Sequence, residues 1–376
     1  MAVDLGALDG DALDELMGKV VTDLGAIALA PLLSIGERLG LFRALADGEA
    51  VTPAELGERT ATVERNVREW LAAMAASGYV TYVGEGRYRL SPEQVAVFTD
   101  EDSPVFVLGG FQAFAAAARP ETRDRLERAF LDGHGVAWHE HHRDLFAGTA
   151  RFFRPGYALH LVAEWLPALD GVVDRLRVGA NVADVGCGLG HSTLLMAKAF
   201  PGSRFSGFDY HAPSIDAARE LAAESGAGES GAGESGAGES GEGARVTFEV
   251  AGGKDFGGGP YDLVAYFDCL HDMGDPVGVL AHTREQLAPD GTVMLVEPFS
   301  HDDVSQNLNP LGRAFYSASS LICVPASQSQ EVGRALGAQA GEQRIHEVAT
   351  EAGFGRFRRA AETPFNIIYE VGNRAG

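Results

Sequence analysis

A short glycine-rich stretch, residues 182–190, constrains the fold of this chain more than any other segment. It reads Val-Ala-Asp-Val-Gly-Cys-Gly-Leu-Gly, so a buried strand over Val182–Val185 precedes three alternating glycines and a helix from about His191. Because glycine has no Cβ, the backbone there can turn tightly and lie against a ligand. A helix N-terminus beside the turn offers free N–H groups. The pattern predicts a strand–turn–helix unit that binds a nucleotide-like ligand.

The spacing of the glycines narrows the class of ligand. Gly186, Gly188 and Gly190 do not match the G-x-G-x-x-G of a dinucleotide site, and no Lys-Ser/Thr follows as in a phosphate-binding P-loop. Asp184 stands just before the turn, and Asp209 ends the next predicted strand, 19 residues past the last glycine. An acid at about that distance holds a ribose diol in nucleotide-binding folds. We therefore expect a nucleoside that carries a positively charged amino group.

The C-terminal half carries the remaining strand patterns of an α/β sheet. Strands are predicted over Arg245–Val250, Tyr261–Phe267, Thr292–Val296, Arg356–Thr363 and Phe365–Val371. Asp268 and Glu297 directly follow two of these apolar runs. Since ligands of open α/β sheets bind at the carboxyl ends of the strands, we expect both carboxylates to face the site.

The N-terminal part predicts a second, smaller domain. Three helical patterns and a β-hairpin between Leu24 and Leu90 are typical of a winged helix. Its third helix offers Arg65, Asn66 and Arg68 to DNA, but it also carries Glu64 and Glu69. DNA binding and subunit pairing are both open, and the mixed charge favours pairing.

Composition and charge disfavour several kinds of partner. The 376 residues carry 30 basic and 53 acidic side chains, a net charge of −23, which argues against general attraction to nucleic acid or anionic membranes. The three cysteines have neither disulfide nor zinc spacing. No signal peptide and no apolar run of about 18 residues is evident. We expect a cytoplasmic protein, with an apolar N-terminal helical region that a second subunit covers in a homodimer.

The motif Asp-x-Gly-x-Gly-x-Gly at 184–190, with the following strand that ends in Asp209, resembles that of class I S-adenosyl-L-methionine (SAM)-dependent methyltransferases. The resemblance implies a Rossmann-like, seven-stranded α/β sheet and SAM as the cofactor. The motif of that family surrounds the methionine part of SAM, the acid after the second strand holds the ribose, and the Lys-Asp-Phe turn holds the adenine. The implied cofactor-binding residues are Asp184, Gly186, Gly188, Gly190, Asp209, Tyr210, Asp255, Phe256 and Asp268. A Rossmann-like domain for another nucleoside is the alternative.

A second motif suggests the chemistry. Leu270-His271-Asp272 resembles the Leu-His-Asp-Trp of small-molecule O-methyltransferases of secondary metabolism, with Met273 in place of the Trp. In that family the His is the general base and a Glu in the place of Glu297 braces it. The resemblance implies methyl transfer to a hydroxyl of a small molecule. Three alternatives stay open: a C- or N-methyltransferase that works by positioning, a SAM-sensing winged-helix regulator, and a SAM-fold protein that catalyses another reaction. His271 could also serve only to cap a helix or to line the cleft.

Three domains follow from these patterns: a winged-helix dimerisation domain over 1–100, a helical linker and substrate lid over 101–170, and the SAM-binding domain over 171–376. The Gly/Ser/Glu repeat over 225–244 cannot build a core, so it is predicted to be a disordered insert. The segment 300–340 is predicted to form an acceptor-site lid or ordinary structure. The run Trp138-His139-Glu140-His141-His142 has no second ligand cluster, so we expect no metal site.

Overall fold

The computed structural model describes residues 8–226 and 245–373, and the chain divides into two compact units, 1–115 and 116–376. From position 227 onward, the predicted insert lies outside the described residues. Most of the predicted linker and lid, 101–170, belongs to the second unit.

The first unit is a winged helix, as predicted. Its elements are α1 (Gly10–Arg38), α2 (Pro53–Thr60), α3 (Glu64–Ala76), β1 (Thr81–Gly84), β2 (Arg87–Arg89) and α4 (Pro92–Phe98). α2 begins with a capping box, in which the Thr52 hydroxyl accepts from the Glu55 N–H and the Glu55 carboxylate accepts from the Thr52 N–H. The apolar face of α3 places Trp70, Leu71 and Met74 in the core of this unit.

The apolar helical pattern over Leu24–Leu45 predicts a kink or a break at Pro31, whereas α1 is one helix at this point. It continues through Pro31 for 29 residues. The carbonyl that Pro31 leaves without a helical donor belongs to Ile27, which is 71% exposed, so water can bond to it. By length and composition α1 is also apolar enough to cross a membrane, with 11% of its most apolar 18-residue window buried. The sequence predicts no such segment, because it has no uninterrupted apolar run of about 18 residues.

The second unit is an α/β fold. Its strands are β3 (Asn181–Val185), β4 (Arg204–Asp209), β5 (Val246–Val250), β6 (Tyr261–Phe267), β7 (Leu287–Pro298), β8 (Arg356–Glu362) and β9 (Asn366–Gly372). Its helices are α5 (Leu108–Ala117), which begins in the first unit, α6 (Pro120–Asp132), α7 (Arg143–His160), α8 (Val172–Val178), α9 (His191–Ala199), α10 (Ala212–Glu224), α11 (Pro276–Gln286), α12 (Pro310–Ala318), α13 (Val324–Gln328) and α14 (Gly341–Glu351).

The seven strands lie in the order β5-β4-β3-β6-β7-β9-β8. The first five are parallel, and β9 runs antiparallel to both β7 and β8. Helices cover both faces, which explains the continuous apolar run of β6. This confirms the predicted seven-stranded, Rossmann-like sheet.

The strand order changes direction at β3, which has β4 on one side and β6 on the other. Such a switch point leaves a crevice at the carboxyl ends of the strands, where α/β proteins bind their ligands. The glycine turn, Asp209, Asp268 and Glu297 all lie at this edge because they end or follow β3, β4, β6 and β7.

Candidate active site

The glycine turn joins β3 to α9 with its glycines in the left-handed region. Gly186, Gly188 and Gly190 have φ angles of 77°, 53° and 79°. A Cβ on Gly190 would lie 2.6 Å from the ring of Phe248, so this glycine allows close packing. A Cβ on Gly188 would have no described atom within 4 Å. Gly188 therefore leaves a bare backbone face over the turn, where a ligand has access.

Asp184 lies under this turn and is only 1% exposed. Its Oδ2 accepts hydrogen bonds from the hydroxyls of Ser192 and Thr193, both at 2.6 Å. Its Oδ1 is buried and has no hydrogen-bond partner among the described residues. Burial raises the pKa of this carboxyl to about 6, against the hydroxyls that lower it. A cation on the free oxygen would stabilise the charged form.

Asp209, at the end of β4, reaches the same turn. Its Oδ2 accepts from the Gly188 N–H at 3.0 Å and its Oδ1 accepts from the His211 N–H at 2.8 Å. Burial raises its pKa, although the backbone donors lower it. The neighbouring Tyr210 is exposed, with its ring near His139. The structure thus brings Asp184 and Asp209 to one glycine turn.

The two residues of the proposed adenine-binding turn, Asp255 and Phe256, differ in their exposure to solvent. Asp255 is exposed. Phe256 is 1% exposed and packs among Phe208, Tyr261 and His282, with ring centroids 4.9–6.2 Å away. Its ring is part of the core below the sheet edge rather than an open stacking face. The role of this turn in holding adenine stays a prediction.

Asp268 follows β6 with a left-handed φ of 50°. Its Oδ2 accepts from the Tyr157 hydroxyl and its Oδ1 from the Asn366 amide, both at 2.7 Å. Burial raises its pKa to about 8, although these donors lower it. No local sequence signal links Tyr157 or Asn366 to Asp268, because they lie 111 and 98 residues away from it.

His271 lies in a turn after β6 and is 2% exposed. Its Nδ1 is 2.5 Å from Oε2 of Glu297, and its Nε2 is 3.1 Å from Oδ1 of Asp272. Burial lowers its pKa, but the attraction of Asp272 and Glu297 outweighs burial and raises the pKa well above its ordinary value. The arrangement stabilises a protonated imidazole between two carboxylates. Asp272 is therefore a further residue of this site, beyond those that the sequence predicts.

The His271 turn and the glycine turn are in direct contact. Sγ of Cys269 lies 3.3 Å from the carbonyl oxygen of Val185, and a Cβ on Gly186 would lie 2.7 Å from the same sulfur. The segment 300–340 contributes a π-helical turn, Ser319–Cys323. Its Cys323 lies beside His271 and Asp272. Cofactor-type and acid–base residues therefore share one edge of the sheet.

The residues present fit SAM. The free, buried Oδ1 of Asp184 suits an ammonium group, and the bare face at Gly188 gives a ligand access to the turn. Both features are observed in the structure of this chain and do not depend on comparison with a relative.

Comparison with known proteins supports this assignment. The family profile of the Rv2258c-like winged HTH domain matches residues 26–100, and that of the methyltransferase domain matches residues 183–293. A trans-aconitate 2-methyltransferase from Streptomyces avermitilis is 28% identical over 153 residues, 40% of this chain and 51% of that protein. A trans-aconitate 2-methyltransferase from Paracidovorax citrulli is 47% identical over 45 residues, which are 12% of this chain and 17% of that protein. The chain thus spans about half or less of the length of these curated relatives.

Solved structures resemble the whole chain. The mitomycin 7-O-methyltransferase MmcR has a TM-score of 0.64 at 18% identity, with 96% of this chain and 100% of that chain covered. An O-methyltransferase family protein from Burkholderia thailandensis has a TM-score of 0.66 at 17% identity, covering 96% and 98%. Human N-acetylserotonin methyltransferase, in complex with SAM, has a TM-score of 0.64 at 16% identity, covering 98% and 99%. At sequence identities of 16–18%, this structural likeness establishes the fold alone.

Fold and domain matches together define the class of this protein as a two-domain methyltransferase-fold protein. More particularly, it joins an Rv2258c-like winged HTH domain over residues 26–100 to a methyltransferase domain over residues 183–293. The predicted class is confirmed.

Proposed function

We propose that this protein transfers a methyl group from SAM to a small-molecule acceptor at a hydroxyl oxygen. The observation that carries the proposal is the buried pair of His271 and Glu297, joined at 2.5 Å next to the glycine turn. A carboxylate on one imidazole nitrogen orients the ring and stabilises its charged form, so the other nitrogen can take a proton.

Each residue of the site has a distinct role in this reaction. SAM supplies the methyl group on a positively charged sulfur. Asp184 binds the amino group, and Asp209 binds the ribose. His271 removes the acceptor proton through Nε2, which requires that Asp272 release this nitrogen when the acceptor enters. Glu297 holds the imidazole in place throughout.

Substitution of His271 by Ala tests this function. Turnover should fall by about 10²–10⁴-fold, the usual contribution of a general base. The affinity for S-adenosylhomocysteine (SAH), measured by calorimetry, should stay unchanged because the predicted cofactor contacts lie elsewhere. The exposed His346→Ala is the matched control and should change neither quantity. Unchanged turnover in His271→Ala would refute base catalysis.

Methyl transfer to carbon or nitrogen by positioning is the second candidate. It is favoured by the raised pKa of His271 and by the engagement of Nε2 with Asp272, because a protonated imidazole cannot accept a proton. In that case His271→Ala would reduce acceptor affinity more than turnover.

A SAM-sensing transcriptional regulator is less well supported. Arg65 and Arg68 on α3, the residues available to DNA, pair within the helix with Glu69 and Glu64 at 2.6 and 2.5 Å. Their charge is therefore neutralised locally. We expect no gel shift with upstream DNA at low salt, with or without SAM.

We also propose a cytoplasmic homodimer that pairs through the first unit. In support, α1 exposes large apolar side chains along most of its length, among them Leu16, Val21, Leu24 and Ile27. Sedimentation of the full chain should give a dimer, and Leu24→Glu with Ile27→Glu should give a monomer. Recovery of the wild-type chain in the membrane fraction would instead assign α1 to a bilayer.

A further inference from the structure

Three side chains with metal-ligating atoms meet beside the carboxyl end of β6. A ring nitrogen of His271, a carboxylate oxygen of Asp272 and Sγ of Cys323 lie within 4.8 Å of one another. Nε2 of His271 is the nitrogen that faces Asp272, at 3.1 Å. Zinc bonds of about 2.0–2.3 Å in a tetrahedron place ligand atoms roughly 3.3–3.8 Å apart. Small side-chain movements would bring the three atoms to that spacing.

The other nitrogen of His271 is already held as in a metal site. Nδ1 lies 2.5 Å from Oε2 of Glu297. A metal-binding imidazole usually donates its second N–H to a carboxylate, which fixes the tautomer and directs the remaining lone pair at the metal. Here Nε2, on the side of Asp272, offers that lone pair once the imidazole has lost its proton there, so a metal would displace this proton.

Buried ring nitrogens beside the cluster lack partners. Oδ1 of Asp272 is buried and faces Nε2 of His271 at 3.1 Å, a contact that becomes a hydrogen bond when this nitrogen carries a proton. His141 is 6% exposed, and both its ring nitrogens are buried without hydrogen-bond partners in the described part of the chain. The negative charge of Asp272 acts on this imidazole. Buried polar groups are rarely left unpaired, and an ion is one explanation for such a group.

The donor set selects the metal. Imidazole, thiolate and carboxylate together suit Zn²⁺, whereas Mg²⁺ and Ca²⁺ prefer sites built from oxygen alone. Three protein ligands leave a fourth position of the tetrahedron for water or a substrate oxygen. The Asp272 side chain is 22% exposed, which gives an ion a path from solvent.

We infer that His271, Asp272 and Cys323 form a site for Zn²⁺ or a similar thiophilic divalent cation, with Glu297 as the outer partner of His271. No spacing in the sequence indicates this site, because Cys323 comes from a segment 51 residues beyond Asp272. The metal would occupy the lone pair that base catalysis needs. Bound Zn²⁺ should therefore inhibit methyl transfer, and this consequence alone rests on the proposed function.

Cobalt binding tests the site without SAM or acceptor. The untagged full chain, freed of metal with a chelator, is titrated with Co²⁺ and followed by absorption. We expect one Co²⁺ per chain, visible bands of a tetrahedral ion, a near-ultraviolet thiolate charge-transfer band, and loss of all bands on addition of Zn²⁺. Cys323→Ser should abolish the charge-transfer band, whereas the matched control Cys269→Ser should keep it.

Wild-type protein that binds no stoichiometric Co²⁺, or a thiolate band that survives in Cys323→Ser, would overturn the assignment. Asp272→Asn serves as the second variant, with at least about tenfold weaker Co²⁺ binding expected from loss of a ligand charge. Circular dichroism of each variant checks that it folds. Because no methyl transfer is measured, failure of the metal site leaves the proposed function standing, and the reverse also holds.

Discussion

Oε2 of Glu297 lies 2.5 Å from Nδ1 of His271, and both side chains are almost fully buried. The two residues are 26 positions apart in the sequence. They meet because β6 and β7 are parallel neighbours in a register that pairs Phe267 with Val296, so the segments that follow each strand emerge side by side. Sheet register thus sets the geometry of the proposed base.

Glu297→Gln should shift the pH dependence of turnover to lower pH. The raised pKa of His271 means that its neutral, proton-accepting form is populated only above that pKa, so wild-type turnover should rise with pH beyond neutrality. Glutamine can still accept from Nδ1–H but carries no charge, which lowers the imidazole pKa. A pH–rate profile measures the shift.

The control for this shift is Glu342→Gln, which removes a half-buried carboxylate that pairs with Arg359. Its profile should match that of the wild type. If Glu297→Gln also leaves the profile in place, His271 does not set the pH dependence.

Asp184→Asn should stabilise the ligand-free protein and weaken cofactor binding. The folded-state pKa of about 6 exceeds the ordinary value of 3.8, so the native state holds its proton more tightly and stability falls as pH rises between these values. Removal of the charge should raise the free energy of unfolding at pH 7 by up to about 3 kcal/mol. The Asn oxygen can still accept from Ser192 and Thr193. Denaturant unfolding gives the first quantity and SAH calorimetry the second.

The raised pKa of Asp184 also predicts that the affinity for SAH depends on pH. Below about pH 6 the Asp184 carboxyl is protonated and neutral, so wild-type affinity should drop on acidification. Asp184→Asn should bind SAH weakly and without this step. An identical acid limb in both proteins would show that another group binds the ammonium.

Alanine at two glycines should separate ligand contact from folding. Both Gly188 and Gly190 have positive φ, so either substitution costs about 1 kcal/mol or more in backbone strain. At Gly190 the new Cβ also meets Phe248 at 2.6 Å, so its thermal midpoint should fall further. At Gly188 the Cβ enters open space, so the larger effect should be on SAH affinity. Equal SAH affinity in Gly188→Ala and the wild type would contradict our placement of the cofactor.

Replacement of Arg356 and Arg358 by Met should destabilise the sheet edge. Both arginines pair with the fully buried carboxylate of Glu370, which they neutralise between β8 and β9. An uncompensated buried charge costs about 3–5 kcal/mol. The exposed arginines of α3, Arg65 and Arg68, give the matched double Met control, expected to cost about 1 kcal/mol or less per pair. Chemical unfolding compares the two double variants, and equal losses would disprove the burial argument.

Short-range patterns were enough to predict the elements that define the class. The glycine turn after β3 and the strands β8 and β9 each follow from patterns of residues that are close together in the chain. The parallel sheet then follows from the alternation of strands and helices. Of the kink or break predicted at Pro31, the break does not occur, because a long exposed helix can leave one carbonyl to water.

The sequence by itself determined the strand–turn–helix unit, the parallel sheet and the winged helix, because backbone preference and hydrophobic periodicity act locally. Only the tertiary structure decided that Phe256 is a core ring, that Tyr157 and Asn366 hold Asp268, and that Cys323 reaches His271. These contacts join segments tens of residues apart. They depend on strand register and helix packing, which no local pattern encodes.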